Sequence, residues 1–391
     1  MQTSFFIEPT EGSAVSGFPS GAFRDRLLKQ DVVMHLRAWV VSRLRANALR
    51  AFAVATSLPF SFTSLATPPP EIDVSLPLGL SRVTLPDSSQ RLDLLVRHDG
   101  IRRPVLVIVP GSACMPAFML IERANGSGYV SSALPPGEED LARMGVHLAI
   151  LERRNIRSFE HVYSEEESSS LPSLKRHECT DEYGGVSLPQ RKMDVLRQVE
   201  YLRAQQWVGP ILLVGISEGS DVAAAVAAEP SPGIQSLLLV AGAGMSQFFD
   251  TIHQSRQEGD NNGVQAAFVN LEAFISGDPP DSYQGLPAVR WTSFAIERTN
   301  LDSLMASDVP IFVVHGENDE SVPIASVDSL VVEVMRKQVK RSIYYLVVKR
   351  AGHNLHEALS DPAHTIYPRY VAWTLGDHPG RTYQLLDPAY K

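Results

Sequence analysis

Six short apolar runs constrain this chain more than anything else in it. They lie at 105–109, 146–151, 211–214, 237–240, 311–314 and 343–348. Each is nearly free of polar residues, as a strand covered on both faces must be. Between them lie helical patterns. Over 188–205, Met193, Leu196, Val199 and Leu202 recur at three-residue spacing, and an alanine-rich stretch follows residue 219. Buried strands alternating with helices predict a doubly wound, mostly parallel α/β sheet. Residues 90–97 alternate polar and apolar, which predicts a half-buried strand ahead of that sheet.

Two stretches break the rhythm. Residues 155–187 are polar, contain Glu165-Glu166-Glu167-Ser168-Ser169-Ser170, and read as a surface loop. Residues 245–307 interpose some sixty residues between two strands and hold Phe248, Phe249, Phe268, Phe274, Trp291 and Phe294. So long a connection inside a compact domain is usually functional, and this one reads as a small helical cap insertion. The expected division is a leader and linker at 1–70, one α/β domain at 71–375 and a polar C-terminal tail at 376–391, in which we read no chemistry.

The run at 211–214 leads directly into Gly215-Ile216-Ser217-Glu218-Gly219. G-x-S-x-G between a buried strand and a helix is the context of a nucleophile elbow. The glycines two residues either side of the serine relieve the crowding of so sharp a turn, and the helix N-terminus favours developing negative charge. A serine needs a general base, and the base needs an orienting acid. His315-Gly316-Glu317-Asn318-Asp319-Glu320 follows one downstream strand and Ala351-Gly352-His353 the next. Asp319 stands ahead of Glu317, Glu320 and Asp302 as the acid, because of its position after the strand. His353 stands ahead of His356 as the base. His353, His356 and Glu357 do not have the spacing of H-E-x-x-H or H-x-x-E-H, so no metal is expected.

With Ser217, Asp319 and His353 in that order, and with H-G-E-x-D-x-x-V-P and A-G-H around the acid and the histidine, the chain resembles the α/β-hydrolase-fold serine hydrolases over about 72–375. The resemblance implies a catalytic triad of those three residues. It also implies an oxyanion hole of backbone N–H groups from Glu218 and from Ser112 or Ala113. Pro110 stands where the family usually has histidine in the oxyanion loop. No cofactor is implied.

Net charge is −9 with no basic stripe, which argues against nucleic acid as a partner. Between 32 and 70 there is no Asp or Glu, but there are Arg37, Arg43, Arg45 and Arg50, then an apolar run at 51–62 and Ser64-Leu65-Ala66. That is the form of a secretory signal starting at Met34 with cleavage near Ala66. The run is too short for a stable membrane span. Export is therefore expected, and a cytoplasmic enzyme is the alternative. The two cysteines, Cys114 and Cys179, are read as one disulfide or as two buried thiols. The function expected is cleavage of a carboxylic ester or related acyl bond in a small substrate. A serine peptidase or an acyltransferase would use the same residues, and a binding protein on the same fold is the reading from a different class. The sequence does not fix the oligomeric state.

Overall fold

The computed structural model describes residues 71–388, apart from 74–75, 77–78, 86–89, 113, 125, 169–178, 231–232, 243 and 377–379. The leader read over 1–70, with Met34 and Ala66, lies outside the described residues, as does Ala113.

A ten-stranded sheet forms the frame. Its strands in chain order are β1 (Glu71–Asp73), β2 (Ser81–Leu85), β3 (Leu92–Arg97), β4 (Arg103–Val109), β5 (His147–Leu151), β6 (Val208–Ile216), β7 (Ile234–Val240), β8 (Ile311–Gly316), β9 (Ile343–Val348) and β10 (Arg381–Leu386). In space they run β1-β2-β3-β5-β4-β6-β7-β8-β9-β10. β1, β2 and β3 join by antiparallel pairing, and β3 is antiparallel to β5. From β5 onward every pairing is parallel. The apolar runs are the interior of this parallel section.

Period-two alternation gives each strand two buried faces. Val105, Val107, Val109, Ile211 and Leu213 pack on one side, against Val195, Val199, Val222 and Leu330. Leu106, Ile108, Leu212 and Val214 pack on the other, against Leu141, Ile366, Tyr367 and Tyr370. Helices Leu188–Arg203, Gly219–Ala227 and Ile324–Lys337 thus cover one face, and Glu138–Met144 and Pro362–Leu375 the other. Among the described residues no helix is long and apolar enough to cross a membrane.

The interruption after β7 contains helices Gln247–Gln257 and Asn261–Ser276, a short ribbon at Ser282–Tyr283 and Leu286–Pro287, and helix Ala288–Trp291. Phe248, Phe274 and Trp291 form its small core, with Tyr283 against them. Phe294 belongs instead to the main core, and Phe249 and Phe268 are exposed. The cap is therefore seated by one aromatic that the sequence pattern had grouped with the others.

Two expectations are corrected. The domain read as ending at 375 takes in part of the polar tail read at 376–391, because β10 pairs in parallel with β9 over six residues. Its exposed/half-buried alternation is that of an edge strand, too polar to register as an apolar run. The stretch 155–187 is not uniformly a surface loop. Ile156 and Ser158 are buried, and Val162–Ser164 pairs with Phe118–Arg123, which also forms a hairpin with Gly126–Ser131.

Candidate active site

β6 ends in the turn that carries Ser217. The serine backbone has φ +50°, in the left-handed region that side chains avoid. The turn closes so tightly that a Cβ on Gly215 would lie 2.5 Å from the Gly219 carbonyl oxygen and the Ser220 Cα. A Cβ on Gly219 would collide with the Val109 carbonyl oxygen. The sequence needs both glycines because backbone occupies the space on either side. Backbone strain of this kind persists only where the surroundings over-determine it. Here Ser217 N–H donates to the Val240 carbonyl at 2.9 Å, tying the turn to β7.

β8 and β9 end on the same edge of the sheet. The structure brings Asp319, after β8, and His353, after β9, to Ser217. Ser217 Oγ lies 3.1 Å from His353 Nε2, and His353 Nδ1 lies 2.9 Å from Asp319 Oδ2. The Ser217 hydroxyl can donate to Nε2 while Nδ1–H donates to the carboxylate. The Asp319 side chain is wholly buried and that of His353 is 27% exposed. Asp319 Oδ1 also accepts from the backbone N–H groups of Ser321 and Val322, at 2.8 and 2.9 Å. Burial alone would raise the Asp319 carboxyl. The hydrogen bond from His353 and these neighbouring donors outweigh it, and the carboxyl is held below its ordinary value. The other candidates stand elsewhere. Glu317 accepts from Arg350 N, Asp302 caps a helix with Thr299, and His356 is exposed.

Glu218 departs from the sequence reading, which gave only its backbone a role. Its side chain is 8% exposed and holds three arginines from three separate segments. Oε1 accepts from Arg191 Nη1 at 2.6 Å and Arg153 Nη2 at 3.2 Å. Oε2 accepts from Arg290 Nε and Nη2 at 2.8 and 2.6 Å. Burial would push the Glu218 carboxyl up, but the three guanidinium groups pull it well below the ordinary range. The same arginines grip the loop facing Ser217. Arg191 donates to the Pro110 carbonyl at 2.9 Å and Arg153 to that of Gly111 at 2.5 Å. Arg290 also donates to Gln247 Oε1 at 2.7 Å, so the network reaches the cap. Sequence reading missed all three arginines. Only Arg153 left a trace, in the Glu-Arg-Arg that immediately follows a buried strand.

The Pro110–Ser112 loop is fixed from its other end as well. Cys114 is bonded to Cys179, and Cys114 N–H points at the Cys179 sulfur, 3.0 Å away. A pocket of about 320 Å³ opens at Ser217. Ser112, Glu218 and His353 line it, as do Asp221, Asp250, Gln247, Leu286, Trp291 and Val322.

Residues 196–371 match the family model for the C-terminal domain of BAAT and acyl-CoA thioester hydrolases, a segment that begins ahead of the elbow and includes Ser217, Asp319 and His353. The chain has the α/β-hydrolase fold. No curated protein matches it by sequence. Among solved structures, the chain is similar to Est1E from Butyrivibrio proteoclasticus, at 15% identity and TM-score 0.44, covering 74% of this chain and 99% of that one. An esterase from Pyrococcus furiosus gives 13% identity and TM-score 0.46, over 76% of this chain and 91% of that one. A puromycin-hydrolysing peptidase from Mycobacterium tuberculosis gives 12% and 0.44, over 81% of this chain and 41% of that one.

Proposed function

We propose that this hydrolase cleaves a carboxylic ester or related acyl bond through an acyl-enzyme on Ser217. The observation that carries the reading is the unbroken chain of contacts from Ser217 Oγ to His353 Nε2, and from His353 Nδ1 to Asp319. In the acylation step His353 takes the hydroxyl proton as Ser217 attacks the carbonyl carbon. The imidazolium so formed is stabilised by Asp319 and returns the proton to the leaving group. Water, deprotonated by His353, then cleaves the acyl-enzyme and regenerates Ser217. The tetrahedral oxyanion is held by backbone N–H groups of Glu218 and Ser112, which line the pocket with Ser217; Ala113 is the alternative donor in that loop. The match to a thioester hydrolase domain supports acyl-bond chemistry and leaves esters and thioesters within the same mechanism.

The test is labelling and turnover together. A fluorophosphonate should label Ser217 in the intact chain, and Ser217→Ala should remove both labelling and hydrolysis of p-nitrophenyl esters. Labelling that survives in Ser217→Ala places the nucleophile elsewhere. Preference for aminoacyl nitroanilides over esters would favour a peptidase, and transfer to an added alcohol would favour an acyltransferase.

The leader at 34–66 supports export of the mature chain, a reading that rests on its basic and apolar sequence alone. N-terminal sequencing of secreted protein tests it, and a secreted chain beginning at Met1 overturns it.

A further inference from the structure

The pocket at Ser217 has an unequal supply of hydrogen-bonding groups. Its cationic member, Arg290, is engaged within the protein at every nitrogen: Nε and Nη2 donate to Glu218 and Nη1 to Gln247. Its carboxyl groups are the reverse. Asp221 is 3% exposed and Asp250 6%, yet Asp221 Oδ2 and Asp250 Oδ1 have no hydrogen-bond partner among the described residues. Each acid has a polar side chain beside it. The Gln247 amide, whose own oxygen serves Arg290, turns to Asp221. The Ser326 hydroxyl, whose oxygen accepts from Met245 N–H, turns to Asp250. Both acids line the same pocket as Ser217, and Leu286, Trp291 and Val322 supply apolar wall beside them.

From this arrangement we infer that the pocket recognises substrates bearing a protonated amine at the end of a short apolar stem. The ammonium would pair with the Asp221 and Asp250 carboxyl groups while the stem lies against Leu286 and Trp291. The inference deepens the proposed function, since it concerns the pocket beside the same Ser217. A buried acceptor without a donor is costly, and a bound cation removes that cost at two carboxyls at once. Burial raises both acids, Asp250 to about 7, and Asp221 is raised further by Glu218 and Asp250 and opposed by Arg290. Asp319 adds to the rise at Asp250. An ammonium between them favours their charged forms. An anionic group would meet two acids, while the Arg290 charge is already paired with Glu218.

The experiment uses the whole chain and three small probes of equal length: n-butylammonium chloride, n-butanol and sodium butyrate. Thermal unfolding should shift upward with rising butylammonium and not with the other two. The shift should disappear in Asp250→Asn and in Asp221→Asn. With the unmodified chain, an aryl ester whose acyl stem ends in an ammonium should have a KM about tenfold or more below that of its methyl-ended counterpart, the worth of roughly one charge-assisted hydrogen bond. An equal shift with butanol, a shift with butyrate, or no shift with butylammonium overturns the inference. Ser217 labelling is read separately. An ammonium shift without labelling keeps the pocket and removes the hydrolase reading, and labelling without the shift does the reverse.

Discussion

Arg290 places two of its nitrogens on one oxygen of Glu218, at 2.8 and 2.6 Å, and so fastens the cap to the residue that follows Ser217. Arg153 and Arg191 hold the other oxygen and also hold the loop that faces the serine. One buried carboxylate is thereby common to the elbow, the facing loop and the cap. Removing a partner from such a cluster is costly because the remaining charges stay buried. Glu218→Gln should lower stability by about 3–5 kcal/mol, the scale for breaking a buried ion pair. A urea melt of the variant checks this. A midpoint within experimental error of the parent would show that the arginines find solvent or other acceptors.

Asp319→Asn should retain the fold and lose activity. The amide offers an N–H where His353 Nδ1–H needs an acceptor, so the imidazole is held in the wrong tautomer, which costs kcat ~10⁴-fold in a comparable triad. Ester hydrolysis and a thermal melt of the same preparation separate the two effects. A loss below tenfold would assign the acid role to another carboxylate.

Glu152 gives a pH-dependent prediction. Burial pushes its carboxyl up to about 7, with Asp93 adding to the rise and Ser158 and Arg82 opposing it. The folded form therefore holds a proton that the unfolded chain releases near 4.5. Folding is favoured by that proton at low pH, and the advantage is lost as pH rises from about 4.5 through about 7. Glu152→Gln cannot lose it. The stability of the variant relative to the parent should increase between pH 5 and 8, as read by paired urea melts. A difference that is flat with pH would mean that Glu152 is ionised in the fold throughout.

Reduction of the Cys114–Cys179 bond should destabilise the chain and loosen the loop at Ser112. The bond spans 65 residues, a length for which chain entropy gives about 4 kcal/mol. Melts with and without reductant, run alongside Cys179→Ser, would check this. Activity should fall before global unfolding, because Cys114 lies two residues from Ser112. Equal melts would show that the cross-link leaves the unfolded ensemble unchanged.

What could be read in advance follows from the range of the forces. The apolar runs located the parallel strands because a strand buried on both faces needs no partner to be recognised. Ser217, Asp319 and His353 could be nominated because each follows such a run, and strand ends of a parallel sheet share an edge. The arginine cluster could not. Arg153, Arg191 and Arg290 carry no common local pattern, and their pairing with Glu218 exists only once three distant segments have folded together. β10 escaped notice for a different reason: an edge strand with one half-exposed face has the composition of a tail. Asp221 and Asp250 stand in the first turns of their helices, an ordinary place for an acid, and only packing makes them buried.

The clamp at Arg290 also bears on how such an enzyme can be recombined. Cap segments look like exchangeable inserts, bounded by two strands and carrying their own aromatic core. Here the insert carries a cation whose counter-charge belongs to the elbow. A donor segment without an arginine at that position would arrive with the wrong charge balance, and a graft of residues 245–307 would have to carry Arg290 and Gln247 to stay compatible with Glu218. The transferable unit is cap plus elbow, not the cap alone.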